Sequence, residues 1–145
     1  VRLGGGGRLD FVVTHLHHVV PDEAVREEQA IQLTEWLRPD THPLVVVGDF
    51  NAVPVESAYR VMEEAGFRSA FAEANGDEPH STWPSGIQAP GMDTDGGKRC
   101  IDYIWVRGEI TVDEASLAFD RPAVEDPTLY PSDHLGLRAR IRVRA

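Results

Sequence analysis

A single cysteine, Cys100, leaves the chain without an internal disulfide and fits a reducing compartment. No apolar run approaches the ~20 residues that a bilayer-spanning helix needs. Glycines stand near the N-terminus where the apolar segment of a signal peptide would lie, so a cytoplasmic location is the expectation. Basic residues are also scarce. Fourteen Lys and Arg face 24 Asp and Glu, for a net charge of −10. Such a field repels phosphate backbones at long range, so a polyanionic substrate requires local cations or a metal ion. What the chain does have is 145 residues with 41% apolar content, enough for one core, and a single domain over 1–145 is expected. Val1 rather than methionine opens it, as in a numbering that begins inside a longer polypeptide.

The apolar run Val45, Val46, Val47 stops at Gly48, Asp49, Phe50 and Asn51. A run of this kind reads as a strand covered on both faces that delivers polar groups at its carboxyl end, where α/β sheets place their chemistry. A second run at 9–16 also ends polar, at Thr14, His15 and His17. Between them, 22–38 reads as a helix opened by Pro21, Asp22 and Glu23 and closed by Arg38 and Pro39. Ala30, Leu33, Trp36 and Leu37 form the face that covers the sheet, and Arg26, Glu27 and Glu28 read as solvated, with Arg26 nearest the rim. Strand, helix and strand of these lengths make a parallel crossover. Both strands then end on one rim, and His15 converges with Asp49 and Asn51.

The glycines at 4–7 precede a strand instead of following one, so they read as a loose lead-in and not as a phosphate loop. His15, His17 and His18 raise a zinc reading. Zinc hydrolases that begin this way carry His-x-His-x-Asp-His, and here Val19 and Val20 follow, which leaves His17 and His18 as solvent-facing loop residues. A second helix follows Pro54, capped by Ser57, with Ala58, Val61, Met62 and Ala65 on its apolar face and Gly66 as its stop. A short strand is expected from Phe67. The stretch 75–98, rich in Gly, Pro, Asp and Ser, is a loop of a length that is usually functional or disordered. Within it, Trp83 is expected to anchor by burial and Thr82 by hydrogen bonding.

The strand at 101–106 contains an anomaly: Asp102 is an acid inside a run that should be buried, and such a carboxylate needs a partner. The candidate lies in Tyr130, Pro131, Ser132, Asp133 and His134, before a final strand with Leu135, Leu137, Ala139, Ile141 and Val143 on one face and four arginines on the other. An Asp–His pair at a strand entrance, with a second acid across the sheet, has the parts of a histidine oriented by a carboxylate beside a metal ligand. Taken alone, the same pair reads equally as a turn.

In this order, Thr14-His15-Leu16, Gly48-Asp49-Phe50-Asn51, Thr82-Trp83, Ile101-Asp102-Tyr103-Ile104 and Ser132-Asp133-His134 resemble the endonuclease/exonuclease/phosphatase superfamily. That group includes DNase I-like nucleases, abasic-site endonucleases, deadenylases, inositol phosphatases and neutral sphingomyelinases. The resemblance implies a DNase I-like α/β sandwich, here mainly one mixed sheet with covering helices. It implies hydrolysis of a phosphodiester or phosphomonoester assisted by Mg2+ or Mn2+. By the same resemblance Asp49 orients and activates the attacking water and contacts the metal, Asn51 hydrogen-bonds the phosphoryl group, and Asp133 sits at the metal. His134, oriented by Asp102, is general base or transition-state stabiliser, and His15 clamps a phosphate oxygen or protonates the leaving group.

The chain departs from that family in having no counterpart of its N-terminal half, which supplies a second sheet, an asparagine near the phosphate and a glutamate metal ligand. A single sheet with helices on one face exposes a wide apolar surface, so that surface is expected to be covered by the missing half or by a second copy in a homodimer. Two other readings stand beside the phosphoesterase: a catalytically impaired fragment or interaction module of the same fold, and a zinc hydrolase using the clustered histidines. For the substrate, nucleic acid and small or lipid phosphoesters are the candidates, and the net acidity favours the latter.

Overall fold

The computed structural model describes residues 1–89 and 97–144. The 90–96 part of the expected long loop lies outside the described residues. β1 (Asp10–His15) and β2 (Leu44–Asp49) run parallel, joined by α1 (Glu23–Leu37). α2 (Ser57–Glu64), β3 (Arg68–Ser69) and α3 (Ala70–Asn75) follow, and β4 (Asp102–Arg107) inserts antiparallel between β2 and β3, giving the order β1-β2-β4-β3. β5 (Ile110–Ala118) and β6 (Gly136–Val143) form a separate antiparallel pair. The fold is thus the expected mixed sheet with covering helices. The final strand departs from that sheet because its hydrogen bonds go to β5. Among the described residues no helix is long and apolar enough to cross a membrane.

Both faces of the four-stranded sheet carry apolar side chains, for two different partners. Val46, Tyr103 and Trp105 face the helices and pack with Ala30, Leu37, Phe50, Tyr59 and Met62. The rings there meet edge to face, as Tyr59 does on Trp105 at 4.8 Å between centroids, the geometry that aromatic quadrupoles favour. Val45 and Val106 point the other way, with Val47 and Ile104, toward Ala139 and Ile141 of β6. That second layer is not closed: a cavity of about 480 Å³ separates sheet and hairpin, and at the free edge of the sheet Phe11 is 54% and Val13 70% exposed.

Gly48 is set by close approach. A Cβ at this position would stand 1.8 Å from the Thr14 carbonyl oxygen, so only glycine lets β1 and β2 pair at the rim. The register there is Thr14 opposite Gly48, His15 opposite Asp49, and Asp49 opposite Asp102.

Three local expectations need correction. Trp36 is 72% exposed, because the buried stripe of α1 runs through Arg26, Ala30, Thr34 and Leu37, one step around the helix from it. Arg26 is not solvated; it is 1% exposed. Ser57 is the first residue of α2 and not its cap, and its amide and hydroxyl both donate to Glu23 Oε1.

Candidate active site

The rim row of His15, Asp49 and Asp102 is completed from the other sheet. Thr82 does most of that joining. Fully buried, it accepts hydrogen bonds through Oγ1 from the Ile101 and Asp102 amides, which fixes the start of β4. Its carbonyl accepts from the Leu135 amide, which fixes the entrance to β6. Ser85 adds two bonds to the same entrance, from its amide to the Asp133 carbonyl and from its hydroxyl to the Ser132 carbonyl. Trp83 is buried, with the Arg99 guanidinium 4.8 Å over its ring. Asp102 and His134 are therefore held by one short segment.

His134 Nδ1 lies 2.8 Å from Asp102 Oδ2, and its Nε2 lies 3.8 Å from Asp49 Oδ2. Ligand atoms of Asp49, Asp102 and His134 all fall within 4.8 Å of one another. His15, with its side chain 67% exposed, places Nε2 3.5 Å from the same Asp49 oxygen. The other Asp49 oxygen accepts from the Asn51 amide at 2.8 Å. Asn51 stands in the left-handed region at φ +50, and its Nδ2 donates to the Leu16 carbonyl, so the loops after β1 and β2 are tied together. Asparagine is one of the few non-glycine residues that adopt this region readily.

Burial, and after it the nearby Asp102 charge, pushes the Asp49 carboxyl above the ordinary range. The hydrogen bond to Asp102 raises His134, against the opposing effect of burial. Asp102 contributes to both shifts, so the rim favours protons or cations beside Asp49 and His134.

The structure thus brings His15, Asp49, Asn51, Asp102 and His134 to one rim. Asp133 does not join the group of close ligand atoms; its Oδ1 accepts from the Ser132 hydroxyl, and its charge still acts on His134. Outside the group, His17 Nε2 pairs with Asp22 Oδ2 at 2.8 Å, and its ring lies beside that of His18. Among the described residues no third ligand gathers there. Sequence reasoning missed Arg26 and Glu56, which bridge the loops of the site. The signal for Arg26 was its place four residues before Ala30 on the buried stripe.

A parallel crossover that ends in this rim, with an aspartate-oriented histidine facing a second aspartate, defines a class. Residues 1–134 match the Endonuclease/Exonuclease/phosphatase family, and the chain belongs to it. Among sequence relatives, Nocturnin of Xenopus laevis is 29% identical over 147 residues, covering 91% of this chain. The chain spans only 36% of that protein's length. Among solved structures, the human Nocturnin catalytic domain with bound sulfate anion is 26% identical with a TM-score of 0.67, covering 96% of this chain and 48% of its own. TDP2 of D. rerio complexed with single strand DNA product is similar in fold, with a TM-score of 0.74 at 20% identity, covering 96% of this chain and 58% of its own.

Proposed function

We propose that these residues form a divalent-metal-dependent phosphoesterase site that hydrolyses a phosphodiester or phosphomonoester by activated water. The observation that carries the reading is the Asp102–His134 pair facing Asp49 at the rim. With Nδ1 committed to Asp102, the imidazole directs Nε2 toward the space beside Asp49, where it can take a proton from water or stabilise developing charge. Asp49 accepts hydrogen bonds from that water. Asn51 keeps one amide proton beyond its bond to Leu16 and offers it to a phosphoryl oxygen. His15, exposed at the mouth, meets the outer phosphate oxygens or the leaving group. The similarity to the Nocturnin catalytic domain, together with the family match, supports a phosphoesterase-type reading.

The donor set fits a hard divalent cation. Two carboxylates stand close enough for one to raise the pKa of the other, a repulsion that such an ion relieves. We assign Mg2+ or Mn2+ to Asp49, at the centre of that close group, with Asp133 joining from outside it, next to His134. When bound, the ion neutralises phosphate charge, which answers the net charge of −10.

We assign the open apolar face of Phe11, Val13, Val47 and Ile104 to a covering partner, either a further half of the fold or a second copy of the chain. Hydrolysis of bis-p-nitrophenyl phosphate against p-nitrophenyl phosphate, with Mg2+ and with Mn2+, tests the function and separates diesterase from phosphatase. Lack of turnover with every metal from a folded, covered chain contradicts it.

A further inference from the structure

Among the described residues, Arg26 is the one charged side chain that is buried almost completely, at 1% exposure. It does so in the first turns of α1, directly behind the rim. Its Nη1 donates to the Val19 carbonyl at 2.8 Å, and its Nη2 to the Val20 carbonyl at 3.0 Å and to Glu56 Oε1 at 2.9 Å. Val19 and Val20 belong to the loop that leaves β1 after His15. Glu56 belongs to the loop that leaves β2 after Asp49 and Asn51, and its second oxygen accepts from the Val53 amide at 2.7 Å. One guanidinium therefore grips both loops.

Its neighbours on α1 act in the same direction. Glu23, three residues before, takes the amide and hydroxyl of Ser57 at the start of α2. Gln29, three residues after, accepts from the His17 amide. Spacings of three put these side chains on one helix face. That face is a bracket across the backs of the two loops, while Asn51 Nδ2 bonded to the Leu16 carbonyl closes the front.

A buried ion pair is weak support for stability by itself, since desolvation offsets its attraction, but its geometry specifies position. The planar fork is suited to that: it supplies several donors at fixed angles, whereas an ammonium is a single point on a flexible stem. We propose that Arg26 is a positioning residue of the candidate site, holding the β1 and β2 exit loops in the register that sets Asn51 and His15 against Asp49. It touches none of the reacting atoms and acts through the backbone that carries them.

The kinetic arm of the test rests on the phosphoesterase reading; the spectroscopic arm does not. In the metal-free chain the Asn51 side-chain amide gives an assignable pair of proton–nitrogen NMR signals that report its bond to Leu16. Arg26→Lys keeps charge and length but not the fork. It is expected to leave the Trp105 core signals in place, to shift the Asn51 pair and collapse its protection from exchange, and to lower kcat by about 10²-fold with KM within a few-fold, the size of effect that a small misplacement gives. Glu56→Gln keeps an acceptor for Arg26 and weakens only the pairing, so it is expected to move the same signals less far. It decides the matter if Arg26→Lys does not fold. Folded variants with the Asn51 signals and kcat of the wild type overturn the proposal. If the wild type hydrolyses nothing, the phosphoesterase reading falls, and the Asn51 signals still decide whether Arg26 positions the loops.

Discussion

Asp102, the first residue of β4, and His134, in the turn that leads into β6 of the other sheet, lie 32 residues apart in sequence and meet with the imidazole Nδ1 2.8 Å from the carboxylate. That contact fixes the ring so that Nε2, and not Nδ1, faces Asp49. Asp102→Asn keeps the size of the partner and removes its charge. The His134 pKa, raised chiefly by this hydrogen bond, is expected to fall relative to the wild type in an NMR titration. Hydrolysis is expected to fall by about 10²- to 10⁴-fold, the usual worth of a positioned acid–base group. An unchanged titration contradicts the pairing.

The same raised pKa makes stability depend on pH. Folding binds a proton at His134 more tightly than the unfolded chain does, so this contribution is fully present below pH 6.5 and is lost as pH rises through the raised value. The thermal midpoint of the metal-free protein is expected to fall as pH rises from 6.5 upward, and Asp102→Asn is expected to flatten that slope. Calorimetry across the window checks both.

Asp49 makes a related point about metal. Its carboxyl is raised by burial and by Asp102, so its stabilising contribution is present below pH 3.8 and lost as pH rises through the raised pKa. At neutral pH the ionised group opposes folding of the metal-free chain. Asp49→Asn is expected to stabilise that form while removing hydrolysis. Adding Mg2+ or Mn2+ is expected to raise the thermal midpoint of the wild type and to leave that of Asp49→Asn nearly unmoved.

Gly48→Ala tests the rim itself. The new methyl group would stand 1.8 Å from the Thr14 carbonyl oxygen, which is backbone and cannot swing aside. The strands must part where His15 and Asp49 lie in register, so a loss of at least about 3 kcal/mol in denaturant unfolding is expected. A loss within ordinary surface scatter contradicts the close approach.

The open face makes a prediction about association. Phe11 and Val13 stand exposed at the free edge of the sheet, above an apolar cavity. In sedimentation equilibrium the wild-type mass is expected to rise with concentration above 16.0 kDa, and Phe11→Lys with Val13→Lys to hold it there with the fold intact. A wild type that stays monomeric removes the second copy as the cover.

The rim was legible in the sequence because strand ends are marked chemically. Apolar runs that stop at His15 and at Gly48-Asp49 fix where two strands finish, and the crossover rule makes them finish together. Asp102 was legible as an acid out of place, and the search for its partner led to His134. Arg26 was not. Helical phase put it on the buried stripe with Ala30, but its charge argued for solvent, and the partners that let it be buried are loop carbonyls and a glutamate 30 residues away. Trp36 misled for a similar reason: apolar character suggested the core face, while helical phase put it outside. The departure of β6 into a pair with β5 depends on which ladder closes, and alternation along one strand does not specify its neighbour.

The most direct test of the central claim is hydrolysis of bis-p-nitrophenyl phosphate and plasmid DNA with Mg2+ or Mn2+, for the wild type beside Asp49→Ala and His134→Ala. The account predicts metal-dependent turnover that both substitutions abolish in folded protein. Turnover that survives either substitution, or no turnover from a folded wild type whose apolar face is covered, contradicts it.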